Sequence, residues 1–183
     1  MATGLPGHFI AMARNNAWAN HRLLTACETL TPAEFAAPRV SFFPTLRATF
    51  NHILDVDLYY IDALEGLDAL RRYSEPDSDF PDARSVRLAQ IASDRRLIAF
   101  CERQTEETLA AECILPRPNR KPPPSRVAAV LEHLFQHQIH HRGQAHAMLA
   151  GTRVEPPQLD EFFLAGDEHL RRDELRALGL PES

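Results

Sequence analysis

The sequence predicts an all-α fold, a four-helix bundle with a short C-terminal helical extension. Three observations predict it. Long stretches free of proline alternate with breaks into which the 14 prolines are concentrated. No run alternates apolar and polar residues over six positions, so strand signals are weak. The chain of 183 residues, 44% apolar and 25% charged, is long enough for one core and too apolar for wholesale disorder.

The first helical segment runs from about Pro6 to Leu30. Thr31-Pro32-Ala33-Glu34 then has the form of an N-cap, a first-position proline and a capping-box acid, opening a short helix that Pro38 ends. Pro44 and Thr45 open a second long segment reaching about Gly66, a C-cap glycine. Tyr73 to Pro81, rich in prolines, serines and acids, reads as a surface loop. A third segment runs from about Arg84 to Ala111. Pro116, Pro118 and Pro122-Pro123-Pro124 exclude a helix interior, and Ile114-Leu115 leave room for only a brief extended stretch. The fourth segment starts at about Ser125 and stops at Gly151. Beyond Pro156-Pro157, a short helix from about Asp167 to Leu178 closes the chain. The bundle is expected to occupy residues 1–163, with 164–183 an extension packed on its outside.

Composition excludes several function classes. Lys+Arg is 20 against 25 Asp+Glu, a net charge of −5 with no basic run, which speaks against nucleic acid or an anionic membrane as partner. No apolar stretch approaches the roughly 18 residues of a membrane-spanning helix. The side chains of Met1 to Gly7 carry no charge and so form no basic n-region, and no signal peptide is evident. Cys27, Cys101 and Cys113 are an odd number at wide spacings, unlike a disulfide framework or a zinc knuckle. They suit a cytoplasmic setting and read as small core residues.

Histidine carries the functional signal. Five of the nine histidines lie between His133 and His146. On a helical wheel at ~100° per residue, His133, His137, His140, His141 and Gln144 share an arc about 100° wide that overlaps the apolar stripe. His146 falls on the far side and is expected to be solvated. Several imidazoles buried without partners would be costly, so something should satisfy them. His137 and His141 are one turn apart and can reach one metal ion, but His133 and His137 share that spacing, so the helix alone leaves the pair open. His52 lies within the apolar face of the second segment and brings a third imidazole to the same core. Three neutral imidazoles would suit zinc, nickel, cobalt or ferrous iron and leave a position open; magnesium and calcium want oxygen ligands.

These segments resemble the DinB family, within the DinB/YfiT-like superfamily of metalloenzymes. The likeness is carried by His137-Gln-Ile-His-His141-Arg-Gly-Gln144, by Asn51-His52-Ile53-Leu54 followed by Asp57, and by Asn16-Ala-Trp18-Ala-Asn20 followed by Leu23 and Leu24. Pro156-Pro157-Gln-Leu-Asp160 resembles the family's stretch after helix four, and the tail after Phe163 lies outside the likeness. The resemblance implies a divalent metal held by His52, His137 and His141, which sets His133 aside as a direct ligand. It also implies a homodimer in the cytoplasm. Related branches are thiol-dependent transferases using a low-molecular-weight thiol such as bacillithiol or mycothiol. The DNA-damage connotation of the family concerns regulation, in keeping with the acidic charge.

Around that triad, His140 and Gln144 are candidates to orient a ligand or substrate, or to hydrogen-bond between helices. Arg142 can pair with an acid on a neighbouring helix or subunit, and Gly143 can permit close packing. Asn16 and Asn20 share a core face and would line a pocket or hydrogen-bond within the bundle. Asp55 and Asp57 lie off the centre of their helix's buried face and read as solvated acids or a partner for His52. Trp18, opposite the asparagines, should be covered by the C-terminal tail or by a second subunit. The expected function is metal-dependent activation of a thiol or water for attack on a small electrophilic molecule. No general base is evident. The alternative is a non-catalytic stress-response protein that binds metal or a small ligand, with a closed metal shell.

Overall fold

The computed structural model describes residues 4–76 and 78–181. Among the described residues, eight α-helices, a 3-10 turn at Ala165–Asp167 and one antiparallel pair of two-residue strands make up its elements. Four long helices form the bundle: α1 Gly4–Cys27, α3 Leu46–Leu64, α5 Ala83–Glu102 and α7 Val127–Ala150. Shorter helices decorate the connections: α2 Pro32–Phe35, α4 Ala69–Ser74, α6 Glu106–Ala110 and α8 Glu168–Leu178.

Local chemistry explains most of the boundaries. Thr31 accepts from the Glu34 amide while the Glu34 carboxylate accepts from the Thr31 amide, closing the expected capping box at α2. The Thr45 hydroxyl accepts from the Ala48 amide at 2.9 Å to start α3. Gly66 follows the end of α3 with φ 71°, a left-handed conformation that costs a residue with a Cβ 1–2 kcal/mol or so, about nothing for glycine.

Three expectations are corrected. The third segment does not run to Ala111: α5 ends at Glu102, and Thr105 caps the separate α6 by accepting from the Thr108 amide at 3.2 Å. A threonine that can bond its own backbone ends a helix without proline or glycine. Extended backbone lies at Glu112–Cys113 (β1) instead of Ile114-Leu115, paired antiparallel with Ser125–Arg126 (β2). The pair pinches off the proline-rich loop and delivers the chain directly into α7. Helix α4 occupies Ala69–Ser74, capped by Asp68, where no helix was expected.

The core divides by height. Phe9, Ala13 and Ala17 of α1 share one apolar cluster with Tyr59 to Ile61, Leu97 to Cys101 and Val127 to Phe135. Leu23, Leu24 and Cys27 share the other with Leu46 to Leu54, Ala83, Val86 and Ala145 to Leu149. Following the clusters, α1 and α7 run one way and α3 and α5 the other. Antiparallel packing therefore relates α1 to α5 and α3 to α7, while α3 with α5 and α1 with α7 are parallel neighbours. The long connection between Leu64 and Ala83 returns the chain along the bundle. The three cysteines are buried and free, as small core residues. Among the described residues, no helix is long and apolar enough to cross a membrane.

The C-terminal segment packs on the outside of α1. Trp18 is 0% exposed and sits with Ala19 and Leu175 in a third cluster. Its indole nitrogen donates to Glu174 at 2.8 Å, and Arg22 binds both Glu174 and Glu161 at 2.8 Å. The tail thus covers the surface for which a second subunit was the other candidate. Because Trp18 is the single tryptophan, its emission reports on α8. Leu175→Ala should lower stability by about 2–5 kcal/mol if the cavity persists, and should shift emission to the red as α8 loosens. An unchanged emission maximum would show that α8 does not govern the burial of Trp18.

Candidate metal centre

Three histidines from two helices meet at one point. His52 comes from α3, and His137 and His141 from successive turns of α7. Each offers a ring nitrogen, and the three nitrogens lie within 4.8 Å of one another. His52 Nε2 and His137 Nε2 are 3.0 Å apart. Two nitrogens bound tetrahedrally to zinc at roughly 2.0–2.1 Å would be about 3.3 Å apart, so small ring movements suffice to share an ion. Among the described residues this is the cluster with metal-ligand spacing, and it contains no fourth protein donor.

The rings are held in the form that donates lone pairs. Burial pushes His137 down to about 3, helped by the neighbouring histidines, and His52 down to about 4, helped by His141. His141 is lowered by burial as well, against an opposing hydrogen bond from Gln144. Its Nδ1 donates to Gln144 Oε1 at 2.8 Å, which leaves Nε2 as the donor atom for an ion. The Gln144 amide in turn reaches His140 Nε2 at 3.1 Å, fixing the amide orientation. His137 Nδ1 is buried without a partner. Phe43 lies 4.3 Å from the His52 ring and 5.5 Å from that of His141, shielding that flank. On the other flank a cleft of about 360 Å³ opens, lined by His52, His137, His133, Tyr59, Tyr60 and Arg117 among others.

Beside the triad, one residue further along α7, lies a buried polar layer. It crosses the bundle between the two apolar clusters. Arg142 Nη1 donates to Asn16 Oδ1 at 2.7 Å, to Asn20 Oδ1 at 2.8 Å and to Gln138 Oε1 at 3.3 Å. Those amides pass the charge on: Asn16 and Asn20 donate to Asp94 Oδ1 at 3.2 and 3.1 Å, and Gln138 donates to Asp57. Gln90 bridges the two acids, 2.7 Å from Asp57 Oδ2 and 3.1 Å from Asp94 Oδ1.

A family comparison follows the same helices. The DinB family model matches residues 2–171. This chain belongs to the DinB family. The match runs past Phe163 into α8, further than the motifs alone reach. Four chains of solved structures match. One is the crystal structure of the DinB-like protein YjoA from Bacillus subtilis, with TM-score 0.56 and 17% identity, covering 85% of this chain and 96% of that one. At that identity the likeness shows the fold. No curated protein matches the chain.

Within this DinB bundle the other expected site residues are distributed as follows. Gln144 and His140 support the His141 ring. His133 is exposed and stacks on Tyr60 with ring centroids 5.5 Å apart, at the cleft and outside the triad. Asn16 and Asn20 hydrogen-bond inside the bundle and line no pocket with the histidines. Arg142 is buried in the same network. His146 is half-buried and bonds the Pro157 carbonyl at 2.9 Å, where a solvated ring was expected. Gly143 faces open space, so close packing does not explain it. Asp57 is neither solvated nor bonded to His52: it is 1% exposed within the polar layer. Helix α3 packs on both α7 and α5, which buries a second stripe that a single-face wheel omits. Gln138, Gln90 and Asp94 were not singled out for the same reason. Their signal was the one-turn spacing of Gln138 with Arg142 and of Gln90 with Asp94, a polar pair on each facing helix.

The layer and the triad pull stability in opposite directions with pH. Burial, then the charge of Asp94, raises Asp57 to about 8, and burial raises Asp94 to about 6. These acids hold protons in the folded state that the unfolded chain, with carboxyls near 3.8, has released. Stability therefore increases as pH falls from about 8 toward 4. The histidines do the reverse: the unfolded chain gains protons below 6.5 while folded His52 and His137 stay neutral to about 4 and 3, so stability is lost in that window. Metal-free protein should have its highest melting temperature at about pH 6–7, and Asp57→Asn should flatten the alkaline limb. Thermal melts in chelator across pH test this; an alkaline limb of unchanged slope in Asp57→Asn would contradict it.

Proposed function

We propose that the chain is a metal-dependent enzyme. His52, His137 and His141 hold a divalent transition metal, and a thiol or a water attacks a small electrophilic molecule seated in the adjoining cleft. The observation that carries this reading is the convergence of three ring nitrogens within 4.8 Å beside a cleft of about 360 Å³. A three-nitrogen set with no fourth protein donor fits zinc, nickel, cobalt or ferrous iron and leaves a position open, as an enzyme requires and a closed binding shell does not. A bound ion supplies Lewis acidity that converts a thiol or water into a nucleophile near neutral pH.

The chain's own residues do the remainder. Three neutral imidazoles leave the ion's charge uncompensated, favouring an anionic nucleophile. A thiolate is placed ahead of hydroxide because the motifs resemble thiol-dependent branches. Gln144 orients His141, and Phe43 limits water on one flank. The cleft lined by Tyr59 and Tyr60 holds the electrophile. A homodimer belongs to the same reading on family grounds.

The test is metal analysis of tag-free protein followed by thiol consumption assays with small electrophiles. Consumption should require the ion, stop on chelation, and be absent in a His52→Ala/His141→Ala double variant. Full activity after chelation would overturn the mechanism. Sedimentation at micromolar concentration giving the monomer mass, 20.7 kDa, would overturn the dimer.

A further inference from the structure

The end of the cleft away from the histidines carries a positive charge that, among the described residues, no carboxylate answers. Arg117 lines the cleft on the loop between β1 and β2. Pro118 and Asn119 form the corner of a tight turn there, with Asn119 at φ 60° and Arg117 bridged antiparallel to Arg120. Tyr59 ties this loop to α3 by donating to the Pro116 carbonyl at 2.9 Å. The Arg117 guanidinium lies between the rings of Tyr59 and Tyr73, 4.6 Å from each centroid. Its charge and a side-chain hydrogen bond act on the Tyr59 and Tyr60 hydroxyls, but its Nη1 is buried with no hydrogen-bond partner, and among the described residues no carboxylate pairs with it. The other charged groups of the cleft are engaged. Arg72 is paired with Asp62 at 3.3 Å, and Asp55 accepts from the Ser78 amide at 3.2 Å.

A buried donor without an acceptor is unfavourable, and a guanidinium is the side chain best shaped to take a carboxylate. From His52 to Tyr59 along α3 is seven residues, about 10 Å of helix rise. The walls between are aromatic: Tyr60, Tyr59 and the exposed His133 stacked on Tyr60. A single guanidinium without an anionic partner matches a monoanion.

We propose that Arg117 anchors a carboxylate subsite. The substrate is then a small organic acid with an apolar or aromatic body, bound carboxylate-first at Arg117 with its electrophilic atom toward the histidines. The orientation rests on the reading of the histidine end as the reacting end; the subsite itself does not. Tyr59 and Tyr73 hold the guanidinium flat, and the aromatic walls take the body of the acid.

Two arms test it on the full chain. In the first, metal-free protein is titrated calorimetrically with phenylbutyrate and with phenylbutyramide. Wild type should prefer the carboxylate by at least about tenfold, the worth of one charge-assisted hydrogen bond. Arg117→Gln should lose that preference, and Arg117→Lys should retain part of it. Equal affinities in wild type, or a preference surviving in Arg117→Gln, would overturn the subsite. In the second arm, cobalt-loaded protein is titrated with mercaptohexanoate and mercaptohexanol. The thiolate-to-cobalt absorption should appear with both, at lower concentration for the acid in wild type alone. Carboxylate preference in the first arm without that absorption would keep the subsite and remove the metal reading. Absorption without preference would do the opposite.

Discussion

His137→Ala is expected to abolish stoichiometric metal binding while leaving the helical content nearly intact. His137 lies against both other members of the triad: its Nε2 is 3.0 Å from that of His52, and its ring centroid is 4.4 Å from that of His141. Removing it leaves two nitrogens on different helices. Even partners behind a ligand are worth roughly 10–100-fold in affinity, so losing the ligand itself should cost more than about 100-fold. The fold should tolerate the change because the ring contributes little to the core. It is half-buried, its Nδ1 has no partner, and burial that holds it neutral opposes its protonation. Metal content by mass spectrometry and far-ultraviolet dichroism on the same sample check both halves. An ion retained at one per chain would show that the triad is not the site.

Arg142→Leu should have the largest effect on stability, a loss of about 3–5 kcal/mol, against a typical total of 5–15 or so. Arg142 is 5% exposed, and burial lowers it to about 10, so it remains charged at neutral pH. Its charge balances Asp94, while Asp57, pushed up to about 8, holds its proton. Taking out the guanidinium strands a buried carboxylate and three amide oxygens at once. Arg142→Leu/Asp94→Asn should recover much of the loss, because no uncompensated charge then remains. Urea unfolding compares the three proteins. A single variant within about 1 kcal/mol of wild type, the range of a surface pair, would show that the layer is not the stabilising network described.

Much of this was legible in the chain. Thr31, Thr45 and Gly66 act locally, so their caps can be read from adjacent residues. His52, His137 and His141 were legible because one turn of helix fixes which residues share a face. The relative direction of α3 and α5 was not, since it depends on how the connection from Leu64 to Ala83 crosses the bundle. Nor was the burial of Asp57, which requires knowing that α3 has two neighbours. Arg117 lies in a loop whose prolines forbid helix but do not say where the chain folds back. Only the packing of that loop against Tyr59 brings it to the cleft.

Helix α7 carries two one-turn pairs side by side, His137 with His141 and Gln138 with Arg142. The second pair admits one solution: amides and guanidinium meet their partners at a single rotation of the helix about its axis. That rotation also aims the first pair. The candidate ligands are therefore pre-organised by the backbone, and much of the entropy of ordering them is met when the bundle folds. A chelator should strip the ion and leave a cooperatively folded chain, unlike small zinc modules in which metal and fold are inseparable. Added metal should raise the melting temperature in step with the logarithm of its free concentration, a titratable increment on a structure that already stands.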